Sequence, residues 1–85
     1  MKSISYVIKD PIGIHARPAG SLIKELGAFG SKVTIKRGAD SCDGKKLLAL
    51  MKLKVKQGET IVVEADGADE EATVKAAEAF LTKNL

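Results

Sequence analysis

Residues Ser3 to Ile8 alternate between polar and apolar, with Ile4, Tyr6 and Ile8 on one side. That period of two marks a half-buried strand. Asp10, Pro11 and Gly13 break it. From Ala16 the period changes: Ala19, Leu22, Ile23 and Leu26 fall at helical spacing, Lys24 and Glu25 lie opposite, and Gly27 and Gly30 end the segment. A second strand is predicted over Lys32–Lys36, with Val33 and Ile35 inward. A turn at Gly38–Asp40 then leads to a short strand over Ser41–Asp43. Lys45–Leu53 is a short helix candidate, and Thr60–Asp66 is a strand in which Ile61, Val63 and Ala65 alternate with Val62 and Glu64. Asp69 stands as the N-cap of a last helix, with Glu70 and Glu71 in its first turn and Lys83 in its last, charges that suit the helix dipole at both ends. Val74, Ala77 and Leu81 form its inner face. The predicted order is strand, helix, strand, strand, helix, strand, helix. Each strand has one apolar face and each helix one apolar stripe, so the expected packing is an α+β antiparallel sheet with its helices on one side.

Composition narrows the class. Eighty-five residues suffice for one core, and residues 1–85 are expected to form one domain. The aromatics are Tyr6, Phe29 and Phe80, so the core must be aliphatic. A single cysteine, Cys42, precludes an internal disulfide and fits a cytoplasmic protein; it reads as a small strand residue rather than a nucleophile. The N-terminal stretch lacks the apolar run of a signal peptide, and no segment approaches the roughly 20 apolar residues of a membrane span. The net charge of +3 suits an acidic protein partner, and equally a weak nucleic-acid contact.

The chemistry concentrates in Gly13-Ile14-His15-Ala16-Arg17-Pro18-Ala19, where the first strand's break meets the first helix. His15 is the only histidine. It precedes the backbone N–H groups of a helix start, which lack intrahelical partners and make an anion site together with the helix dipole. Ala16 and Arg17 are the candidate phosphate-binding residues, and the Arg17 guanidinium can grip phosphate oxygens in bidentate fashion. Pro18 falls in the first turn, where its missing N–H costs nothing and its fixed φ pre-forms the helix. Gly13 permits a close approach of the loop. Neutral imidazole is a nucleophile near physiological pH, and the same positive surroundings then stabilise a phosphoryl group on the ring. Alone, a histidine at a helix start is an ordinary cap or solvated side chain. No metal centre is expected, because Cys42 is the only other soft ligand. A serine triad lacks its elbow motif. No cofactor is expected.

This heptapeptide resembles the active-site signature of HPr, the histidine-containing phosphocarrier family of the bacterial phosphoenolpyruvate-dependent sugar phosphotransferase system. Chain length, element order, the Leu47–Leu53 helix and Gly67-Ala68-Asp69-Glu70 before the last helix carry the resemblance along the whole chain. It implies an open-faced β-sandwich of order βαββαβα: a four-stranded antiparallel sheet covered on one face by three helices. It also implies phosphorylation of His15 at Nδ1, with Arg17 and Pro18 in support, enzyme I as donor and the EIIA domains of sugar permeases as acceptors. A monomer is the expectation.

The short helix carries more apolar residues than one face can bury. Leu47, Leu48 and Met51 extend well round it from Leu50 and Leu53, so some of them must be exposed. Flanked by Lys45, Lys46 and Lys52, they read as a docking patch with a basic rim, although isolated surface leucines are common. The resemblance places this helix beside the histidine, on the surface shared by donor and acceptor; Gly20 and Lys24 of the first helix are further partner-binding candidates. Gly20 costs roughly 1 kcal/mol inside a helix, and its missing side chain would let a partner approach His15. Many Gram-positive members carry a regulatory serine at the start of the short helix, and register from His15 and Gly58 puts Lys46 there. The kinase-controlled role is therefore not expected. Two alternatives are a paralogue serving a regulatory phosphorelay and, less suited, a small basic nucleic-acid-binding module. The strands lack the exposed aromatics that stack bases, so nucleic acid is not an expected partner.

Overall fold

The computed structural model describes all residues, Met1–Leu85. The elements are β1 (Lys2–Val7), α1 (Ala16–Leu26), β2 (Lys32–Arg37), β3 (Asp40–Asp43), α2 (Leu47–Lys52), β4 (Thr60–Asp66) and α3 (Glu70–Asn84). The strands form one four-stranded sheet in the order β1-β4-β2-β3, every neighbouring pair antiparallel. β4 thus enters last and lies between β1 and β2, facing Ile4 with Val63 on one side and Ile35 with the same Val63 on the other.

The alternation seen in the sequence decides the two faces. Val33, Ile35, Ile61, Val63 and Ala65 are buried, while Lys32, Thr60 and Asp66 are exposed. The apolar stripes of the helices close over that inner face: Ala19, Leu22 and Leu26 from α1, Leu50 from α2, and Val74, Ala77 and Leu81 from α3. Most of these residues share one aliphatic core, with Tyr6, Met51 and Phe80 packed at its margin. Each fully buried leucine or isoleucine in it contributes about 1.5–3 kcal/mol of transfer free energy. No helix is long and apolar enough to cross a membrane.

One expectation changes in detail. Asp69 stands at the N-cap of α3, but its side chain does not cap that helix. The carboxylate instead reaches across to the α1–β2 connection, accepting the N–H groups of Gly30 and Ser31 at 2.8 and 2.9 Å and the Ser31 hydroxyl as well. Its backbone φ of −105° and ψ of 25° differ from the extended geometry of a capping residue, which frees the side chain for this longer tie.

Candidate functional site

The site is built on the loop from Asp10 to His15. Gly13 has φ +80°, a conformation that favours glycine, and a Cβ there would run into the Val55 carbonyl oxygen and the Lys56 Cα. Ile14, buried beside it, donates its N–H to the Val55 oxygen at 3.0 Å. The loop is therefore pressed against the segment between α2 and β4, and the next residue, His15, is delivered at a fixed point.

His15 is the N-cap of α1, with extended backbone (φ −126°, ψ 174°) and no side-chain capping bond. Its carbonyl accepts the first helical bond, from Ala19 N–H at 3.0 Å. The N–H groups of Ala16 and Arg17 have no backbone partner, and Pro18 contributes none. The imidazole is free of the capping duty and about one-third exposed, at 35%. It lines an open hollow of about 320 Å³ with Asp10, Arg17, Pro18, Ser21, Phe80 and Asn84. Backbone donors, a guanidinium and an accessible ring thus meet at one helix start, an arrangement suited to receiving an anionic group.

The sequence reading missed four contributors to this hollow: Asp10, Ser21 one turn after Arg17 on α1, Phe80 and Asn84. Asp10 figured there only as a strand breaker, yet its Oδ2 lies 3.7 Å from His15 Nε2. Its Oδ1 accepts Ile12 N–H at 2.8 Å, the Asx turn that an Asp-Pro sequence makes available. Phe80 and Asn84 arrive from the far end of α3, nearly the whole chain away, and no local pattern announces them.

The α2 patch divides as helical geometry requires. Leu50 and Leu53 are buried, at 1% and 7% exposure, whereas Leu47 and Leu48 are 38% and 76% exposed. Met51 is half-buried against the core. Lys46 and Lys52 are exposed, as is Lys24 on α1. Lys45 departs from the expected basic rim: it is half-buried, and its Nζ donates to the Phe29 carbonyl at 2.6 Å. A lysine stem lying along apolar surface can reach such a carbonyl at the end of a neighbouring helix. Lys46 is the N-cap of α2 with no side-chain capping bond. Gly20 has nothing within 4 Å of where a Cβ would project. Cys42 sits half-buried in β3, packed against the core, where burial and then the Asp43 carboxylate raise its thiol pKa. No group of histidine, cysteine and carboxylate side chains is placed to hold a metal ion.

The chain as a whole is similar to known proteins. A family model described as the PTS HPr component phosphorylation site matches residues 2–83. The chain is 43% identical to the phosphocarrier protein HPr of Mycoplasma genitalium, across 99% of this chain and 97% of that one. Among solved structures, the histidine-containing phosphocarrier protein of a mycoplasma superposes with a TM-score of 0.93 at 32% identity, covering 96% of this chain and 93% of the other. HPr from Thermoanaerobacter tengcongensis gives the same TM-score at 30% identity, covering 98% and 93%. With its sheet order, its helix-capping histidine and these likenesses along nearly its full length, the chain belongs to the HPr family of phosphocarriers of the phosphotransferase system.

Proposed function

We propose that the protein takes a phosphoryl group from enzyme I, ultimately from phosphoenolpyruvate, onto His15 Nδ1 and passes it to EIIA domains of sugar permeases in the cytoplasm. The observation that carries this reading is His15 itself: the sole histidine caps α1 without spending its ring on the cap, beside two unpartnered backbone N–H groups and Arg17. The neutral ring attacks phosphorus, and the bond from phosphorus to the donor breaks. Positive groups around the new phosphoryl oxygens then stabilise them without sealing them from water or from the next acceptor. The open hollow and the exposed Leu47 and Leu48 suit protein partners that must come and go. The chain works as a carrier, acting as a monomer, so its turnover depends on the two partners rather than on a bound small substrate.

Incubation with enzyme I and phosphoenolpyruvate tests this. One acid-labile phosphate per chain is expected, and His15→Ala should abolish it. Phosphate that survives this substitution, or that resists acid, would overturn the reading.

A further inference from the structure

Asp10 is held on three sides. Its N–H donates to the Leu85 main-chain oxygen at 2.9 Å, its carbonyl accepts Gly13 N–H at 2.9 Å, and its Oδ1 accepts Ile12 N–H at 2.8 Å. That leaves Oδ2 as the oxygen without a hydrogen-bond partner, and it is the one 3.7 Å from His15 Nε2. His15 is fixed in turn by the Ile14–Val55 bond before it and by the first helical bond after it. The backbone of both residues and the Asp10 carboxylate are therefore held in place, and they bring the carboxylate, 23% exposed, beside the imidazole, 35% exposed.

A carboxylate can only accept, whereas a neutral imidazole offers an N–H at one nitrogen and a lone pair at the other. The partner beside one nitrogen decides which tautomer the ring adopts. A negative oxygen beside Nε2 attracts a proton there and repels a lone pair. Arg17, the other charged group on the hollow, is a donor only and suits the lone-pair side of the ring and any phosphoryl oxygens.

We propose that Asp10 is a positioning residue that keeps the ring proton of His15 on Nε2 and so presents Nδ1 as the nucleophile. The inference rests on the carrier reading for its consequence, although its structural claim concerns the unphosphorylated protein. The step balances without moving a proton. The Nδ1 lone pair forms the bond to phosphorus while the donor's bond to phosphorus breaks, and the neutral ring becomes an N-phosphoryl imidazolium whose Nε2–H faces Asp10. On onward transfer the electron pair of the Nδ1–phosphorus bond returns to the ring, leaving neutral imidazole with its proton still on Nε2. Asp10 faces the positive charge that develops during acceptance and is relieved during donation.

His15 is the only histidine, so its ring nitrogens give unambiguous signals in a long-range ¹H–¹⁵N correlation spectrum. At a pH where the ring is neutral, the protein should show a protonated Nε2 and an unprotonated Nδ1. Asp10→Asn keeps the acceptor for Ile12 N–H but puts an NH₂ group where Oδ2 stood, so the preference should invert. Asp10→Ala should give a mixture. Acceptance of phosphate from enzyme I should slow by about tenfold in Asp10→Asn, with the melting temperature unchanged. A proton found on Nδ1 in the unsubstituted protein, or an unchanged spectrum in Asp10→Asn, overturns the proposal. An inverted tautomer with an unchanged transfer rate also overturns it, because the positioning would then do nothing for the reaction. If the unsubstituted protein takes no phosphate at all, the carrier reading fails instead, and the spectra still decide the role of Asp10.

Discussion

Asp69 Oδ1 accepts both the backbone N–H and the hydroxyl of Ser31, a residue 38 positions earlier in the chain. This tie fastens the start of α3 to the lead-in of β2, and Ser31 is buried where it is made. The Ser31 hydroxyl first, then the Gly30 N–H, hold the Asp69 carboxyl below its ordinary pKa. A carboxyl whose pKa is lower in the folded than in the unfolded chain adds stability above the unfolded value, about 3.9, and loses it as pH falls through the folded value. Asp69→Ala should therefore melt lower than the parent at neutral pH, and the gap should close as the pH is taken below about 4. Thermal melts of both proteins from neutral to strongly acidic buffer check this. A gap that widens in acid would show that the bonds do not favour the ionised form.

Gly20→Ala should stabilise the protein and impair it. The site lies inside α1, and a Cβ there meets nothing within 4 Å. Alanine should therefore add about 1 kcal/mol and raise the melting temperature by about 4–8 °C. If a partner's surface closes over this point to reach His15, phosphoryl transfer should slow in the same variant. Melting and transfer measured together separate the two effects.

Leu48 and Leu50 should behave oppositely. Leu48 is 76% exposed and Leu50 is 1% exposed, two residues apart on one short helix. Leu48→Glu should leave the melting temperature nearly unchanged and weaken binding to enzyme I, because an unpaired charge in an interface must be desolvated. Leu50→Ala should cost about 2–5 kcal/mol of stability by leaving a cavity. Unfolding curves and a binding titration on both variants decide the assignment.

Lys46→Ser should stabilise α2. Lys46 occupies the N-cap with extended backbone and makes no capping bond, and its charge opposes the helix dipole. A serine hydroxyl can accept an N–H there, for about 0.5–1 kcal/mol. The parent should resist the serine kinase that acts on many Gram-positive members of the family, and the variant should become a substrate. Radiolabelled ATP on both proteins reads this directly; label on Ser41 of the parent would mean that the switch lies elsewhere. Removing the lysine should also make partner association less sensitive to salt.

Arg17→Ala should slow transfer far more than it destabilises the fold. Arg17 is exposed at the first turn of α1, on the hollow that His15 lines. Exposed substitutions of this kind stay within about 0.5 kcal/mol in stability, whereas loss of a cation beside transferring phosphate should reduce the rate by about tenfold or more. Single-turnover phosphorylation set against a melting curve tests the contrast.

The sequence alone determined whatever depends on neighbours along the chain. Period two placed the strands, and the switch to helical spacing from Ala16 placed α1. The over-wide apolar arc of α2 foretold that part of it must face outward, and Leu47 and Leu48 do. The heptapeptide put His15 at a helix start because the glycine, the proline and the helical period are all local signals. Tertiary structure alone decided the insertion of β4 between β1 and β2, the turning of Asp69 from its own helix to Ser31, and the drawing of Lys45 to the Phe29 carbonyl. It also brought Phe80 and Asn84 to the hollow and aimed Asp10 at the imidazole. The physical reason is the same in each case. Periodicity records which face a residue turns to the core, because burial is a property of one residue and its near neighbours. A polar side chain with several reachable partners is settled only when distant segments come together, and the sequence pattern holds no record of which donor or acceptor will be waiting there.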